Sequence, residues 1–174
     1  MNKDSVVITF RINKDLKIAL DKECAIKKVS LNHILNKTIE KHVKWDRFAE
    51  EIGLIFVSKS IFRNILSKMD EKDIKLLATT ICRGTLKDAT IYMKGTFNYQ
   101  NFIEMLDAWI SNSHIPFRHL NENGIDKYII QHELGIKYSI YLSTAVNTLL
   151  SEIEYGLKNI DLADQTLNFE VIKL

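Results

Sequence analysis

Five histidines, two cysteines and an arginine set in an apolar run are the residues of this chain whose types and spacing bear on chemistry. His33 and His42 lie nine apart, so they do not share a helix face as ligands at i and i+4 would. His114, His119 and His132 surround Asn123-Gly124, the strongest short hairpin signal. With a two-residue turn there, Glu122 pairs with Ile125, His119 faces Tyr128 and Ile115 faces His132. Phe117, His119, Tyr128, Ile130 and His132 then share one face. His119 and His132 stand two rungs apart on it, too far for one ion without another chain, and no cysteine is near. No metal site is therefore expected. His119, Tyr128 and His132 are the side chains best placed to meet a small-molecule effector. His132, with Glu133 and Ser139 beside a helix start, would orient an anionic one. Cys24 and Cys82 lie far apart in helical patterns and read as buried small hydrophobes. The chain has no Gly-x-Ser-x-Gly, P-loop, Gly-x-Gly-x-x-Gly or His-Glu-x-x-His, so neither an enzyme nor a cofactor is expected.

Arg11 belongs to Val6-Val7-Ile8-Thr9-Phe10-Arg11-Ile12, which alternates at the period of a strand. Ile8, Phe10 and Ile12 point one way, and Val7, Thr9 and Arg11 the other. The next ~35 residues have helical spacing, so this strand has no partner nearby. Its unpaired backbone groups are costly to bury, and a second copy of the chain is the economical partner. Charge points the same way. Residues 1–48 carry eleven lysines and arginines against six acidic residues, a net +5, while the whole chain is only +2 and the remainder is −3. A basic first quarter suits a polyanion.

The elements that follow are punctuated by caps. Asn13 opens a helix to about Lys27 along Leu16, Leu20 and Cys24, and Ser30 opens a second along Leu31, Ile34, Leu35, Ile39 and Val43, ending at Gly53. Ser58 and Asp70 start two further helices that make a compact connector over 49–84. From 85 to 174 the pattern predicts strand (Ala89–Met93), helix from Asn98, hairpin strands (Ile115–Asn121 and Ile125–Gln131), a long helix after Gly135 carrying residues as far as Ile153, and a last strand (Thr166–Ile172). This βαββαβ order is that of the ferredoxin-like split fold, so an α+β protein is expected. No run is long and apolar enough to span a membrane, and no signal-peptide pattern opens the chain, so a cytoplasmic protein is expected.

The alternating strand, Asn-Lys-Asp-Leu, Leu20, Cys24 and then Val29-Ser30-Leu31-Asn32 together resemble the ribbon-helix-helix (MetJ/Arc-type) DNA-binding domain over about residues 5–48. The resemblance implies an intertwined homodimer whose two-stranded ribbon enters the major groove of double-stranded DNA. Val7, Thr9 and Arg11 would face base edges, with Arg11 donating to guanine O6 and N7. Ser30 and the amides of Leu31 and Asn32 would hold a phosphate, with Lys3 and Lys28 beside it. Val7 departs from the family, in which all three outward positions are commonly polar.

The whole layout, with residues 1–48 as the head, 49–84 as connector and 85–174 as a ferredoxin-like regulatory or oligomerisation domain, is similar to nickel-responsive repressors. It lacks their closely spaced histidines and cysteine. It also resembles uncharacterised archaeal regulators. The function implied is transcriptional regulation, as repressor or activator, by a dimer or by a tetramer spanning two half-sites. The alternatives are an antitoxin-like interaction module or a metal or small-ligand sensor working through the C-terminal half.

Overall fold

The computed structural model describes residues 6–174. The chain divides into two compact units, one ending at Arg47 and the other running Phe48–Leu174.

In the first unit, residues 6–12 form neither helix nor strand in the single chain. Helix α1 (Lys14–Lys27) starts where Asn13 accepts a hydrogen bond from the Asp15 amide at 2.9 Å. It stops because Lys28 turns left-handed (φ 54°), which lets the Lys28 and Val29 amides close on the Cys24 carbonyl. Helix α2 (Leu31–Lys41) starts on Ser30, whose hydroxyl accepts from the His33 amide at 3.1 Å. Helix α2 runs on through a π-helical turn over His42–Asp46. The wider turn brings positions five apart together, and Lys41 pairs with Asp46 at 2.6 Å. The short α3 (Arg47–Ala49) follows. Neither α1 nor α2 has a buried residue.

The second unit has one continuous core. Helices α4 (Lys59–Ser67) and α5 (Glu71–Ile81) are capped by Ser58 and Asp70. Leu66, Ile74, Ala78 and Cys82 join the same cluster as Leu142, Leu150 and Phe169. The stretch expected as a connector thus shares its core with the C-terminal half. A second π turn (Cys82–Leu86) leads into α6 (Lys87–Lys94). After α7 (Tyr99–Asn112, capped by Asn98) come strands β1 (Phe117–Glu122) and β2 (Ile125–Gln131), then α8 (Ile136–Ser151), β3 (Tyr155–Leu162) and β4 (Thr166–Lys173). The strands lie in the order β1-β2-β4-β3, every neighbour antiparallel. The fold is α+β, with most of the helices before the sheet.

Two differences from expectation remove the ferredoxin-like order. Ala89–Met93 is helical, not a strand. Leu86 just before it and Ala89, Thr90 and Met93 within it are buried or half-buried, as is Lys87 at its start, and the steps of three, four and seven from Leu86 belong to a helix. Thr90 sends its hydroxyl back to the Leu86 carbonyl at 2.8 Å, so a β-branched residue sits in a helix without an unpaired group. The second difference is β3, which lies between the end of the expected helix near Ile153 and the expected last strand, where the sequence pattern predicts no element. Its alternation is broken by a bulge between Lys158 and Asp161, where Asn159 takes φ 51°. The result is αββαββ. The crossover from β2 through α8 to β3 leaves a gap that β4 fills.

Tyr128, Ile130, Leu167, Phe169 and Val171 line the buried face of the sheet. Its other face carries exposed or half-buried polar pairs such as Lys127 with Glu122 at 2.8 Å and with Glu170 at 3.4 Å. Ten residues of α8 are buried, which makes it the central helix of the unit.

Candidate functional site

The surface expected to meet DNA is in the first unit. Lys3 lies outside the described residues. Val7 is 93% exposed, and Thr9 and Arg11 are exposed too. Their intended inner row is exposed too, though less so: Ile8 is 77%, Phe10 57% and Ile12 36% exposed in the single chain. At the start of α2, Ser30 is committed to the His33 amide, so the Leu31 and Asn32 amides are the ones left at the positive end of the helix. Lys28 is two residues before Ser30 and exposed. Four ion pairs, Lys17–Asp21, Lys27–Glu23, Lys41–Asp46 and Lys44–Glu40, neutralise part of the helical charge. Arg11 and Lys28 make no ion pair with another described residue.

In the second unit the structure joins two of the three residues proposed as effector contacts and separates the third. His119 and Tyr128 stack with ring centroids 4.3 Å apart. His119 bridges two carboxylates: Nδ1 is 2.9 Å from Asp107 Oδ2 on α7, and Nε2 is 2.9 Å from Asp126 Oδ1 on β2. Asn121 also donates to Asp126 Oδ1 at 2.7 Å, Tyr99 donates to Asp126 Oδ2, and Tyr128 donates to Asp107 Oδ1 at 2.8 Å. Ionised carboxylates only accept, so a histidine held by two of them is an imidazolium donating from both nitrogens. Burial alone would lower the His119 pKa. The hydrogen bonds to Asp126 and Asp107 overcome that and raise it. Burial would raise Asp126, and its donors Tyr99, Asn121 and His119 instead hold it below the usual carboxylate range. Desolvation, reinforced by the neighbouring carboxylates, pushes the Tyr99 and Tyr128 hydroxyls well above their ordinary range, so both remain proton donors. The arrangement has no nucleophile, and both ring nitrogens are occupied. It is built to tie α7 to the hairpin.

His132 belongs to a separate and fully buried network. The Leu134 amide donates to Nδ1 at 3.0 Å, which makes Nε2 the protonated nitrogen. Nε2 then donates to Ser139 Oγ at 2.7 Å, and the Ser139 hydroxyl donates to the Ala163 carbonyl at 2.7 Å. A serine activated by histidine needs the opposite polarity, with the ring accepting the hydroxyl proton. This pair therefore locks the β3–β4 turn to the start of α8. The anion at that helix start is supplied internally: Asp164 Oδ1 accepts from the Ile136 amide at 3.3 Å, and its backbone carbonyl accepts from Gly135 at 2.9 Å. Arg63 stands against the same carboxylate at 3.2 Å.

Sequence reasoning did not find Asp107, Asp126 or Tyr99. One signal was present. Asp126 has the same parity along β2 as Tyr128 and Ile130, and a carboxylate on a core-facing row requires a partner.

An apolar void of about 30 Å³ lies among Leu86, Thr90, Leu106, Trp109, Leu142 and Val146 of α6, α7 and α8 and the turn before α6. The Thr90 hydroxyl is already committed to the Leu86 carbonyl, so the lining of this space is almost wholly apolar. Among the described residues no group of three His, Cys, Asp or Glu side chains is arranged to hold a metal ion, and no helix is long and apolar enough to cross a membrane. The Cys82 thiol is pushed up to about 12 by burial, which makes it unreactive at neutral pH. No protein-family model, curated protein or solved structure matches the chain.

Proposed function

We propose that the protein is a cytoplasmic, sequence-specific DNA-binding regulator of transcription, and that its first unit works as a ribbon-helix-helix dimer. The carrying observation is the first unit's exposed apolar row. Ile8, Phe10, Leu16, Ile26 and Ile39 are all more than half exposed in one chain, although α1 and α2 begin on the caps the sequence specifies. Apolar surface on this scale belongs in an interface. A second copy pairs residues 6–12 strand to strand, buries Ile8, Phe10 and Ile12, and turns Val7, Thr9 and Arg11 outward on a single ribbon. In that ribbon Arg11 reads guanine, Thr9 reads a polar base edge and Val7 packs on a thymine methyl. The Leu31 and Asn32 amides, Ser30 and Lys28 grip a phosphate. The second unit serves as the regulatory or oligomerising part, allowing a tetramer.

Selection from a random duplex pool, followed by binding at several salt concentrations, tests this reading. The expected result is enrichment of a two-fold site, affinity that falls steeply with salt, and a loss of about 1–3 kcal/mol at one base position for Arg11→Ala. Failure to enrich any sequence at low salt overturns it. Stoichiometric capture of a small partner protein by the head, without DNA binding, favours the interaction-module reading instead.

A further inference from the structure

We propose that His119 is a protonation-controlled clamp that, with its ring protonated, holds the middle of α7 against the β1–β2 hairpin and opens when the ring loses a proton. The geometry sets which half of the clamp opens. From β2 the ring faces Asp126 and Tyr128, from α7 it faces Asp107 with Tyr99 close by, and from β1 it is flanked by Asn121. A neutral imidazole keeps one N–H, so one of its two carboxylates must meet a ring lone pair instead of a donor. Asp126 has two other donors and its side chain is 7% exposed. Asp107 keeps only Tyr128, and its side chain is 35% exposed. The remaining proton therefore stays on Nε2 toward the better-buried carboxylate, and Asp107 turns to water. Asp107 is flanked on α7 by Leu106 and Trp109, which line the apolar void, so the released segment is one wall of that void.

The direction of the effect is fixed. The folded pKa of His119 is raised, so the stabilisation is complete below about 6.5, the value of a free ring, and is lost as pH rises through the folded value. Tyr99 and Tyr128 stay protonated throughout that range.

Hydrogen exchange of the full-length protein tests the clamp, with amides of α7 compared with those of α8 at each pH after correction for intrinsic rates. The His119 ring is followed by NMR in the same samples. The expected result is a His119 midpoint above 6.5 and about a tenfold or larger loss of α7 protection relative to α8 across that midpoint. In His119→Gln the ratio should be independent of pH and equal to the wild-type value at high pH. Should that variant not fold, Asp107→Asn provides the second arm, and its His119 midpoint should fall below that of the wild type. A wild-type midpoint at or below 6.5, or α7 protection that ignores the titration, overturns the proposal.

Discussion

Lys28 takes a backbone conformation that L-residues with a side chain adopt at some cost, φ 54° and ψ 42°, at the point where α1 gives way to α2. Glycine is the usual residue there, so the choice of lysine suggests that its charge is in use. Lys28→Gly separates the two roles. Thermal unfolding of the head should be unchanged or improved by up to about 1 kcal/mol, while, if the head binds DNA as proposed, affinity falls and the slope of its salt dependence drops by about 1. His132 supplies a second residue-scale outcome. Burial, aided by Lys59, pushes its ring down to about 4, whereas an unfolded ring takes up its proton near 6.5. Stability is therefore complete above 6.5 and declines as pH falls toward 4, by roughly 3 kcal/mol. Denaturant titrations across that range should show the decline in wild type and a flatter curve in His132→Gln.

At the scale of elements, the caps were legible and the register of α6 was not. Asn13, Ser30, Ser58, Asp70 and Asn98 each start the helix they announce, and Asn123-Gly124 closes the hairpin with Glu122 on Ile125. These signals are local, so one sequence carries them. Ala89–Met93 misled because a β-branched, aromatic run favours a strand when its neighbours are ignored. The π turn before it resets the phase that a 3.6-residue pattern would have followed from α5. The Asp107–His119–Asp126 bridge was half legible. The hairpin register predicted His119 opposite Tyr128, but Asp107 arrives from a separate helix. Gly84 lies inside that π turn, and a Cβ built on it has no atom within 4 Å. Gly84→Ala should therefore raise the unfolding temperature of the second unit, by the equivalent of about 0.5–1 kcal/mol.

The whole molecule joins a unit with almost no buried core to a unit with a continuous one. Among the described residues of the first unit, Trp45 alone is buried, while the second draws its core from every helix from α4 to α8, apart from α6, and from all but the outer edges of its sheet. Such a chain should unfold in two steps. If the head pairs as proposed, its step should move to higher temperature as protein concentration rises, because a dimer would cover its apolar surface. Calorimetry over a hundredfold range of concentration checks this. A head transition independent of concentration would mean that one copy is stable by itself.

The start of α8 has a consequence for the order in which the chain acquires its structure. Gly135 gives that helix no side-chain cap, and its first amides are served by Asp164, which the ribosome adds 28 residues after Ile136. The β1–β2 hairpin can zip from its own turn as soon as it emerges. The first turn of α8 has to wait for the β3–β4 turn to arrive and close over it. Contacts made by Asp164 therefore belong to the late side of the folding barrier. Asp164→Ala should speed unfolding and leave the rate of folding nearly untouched in stopped-flow measurements.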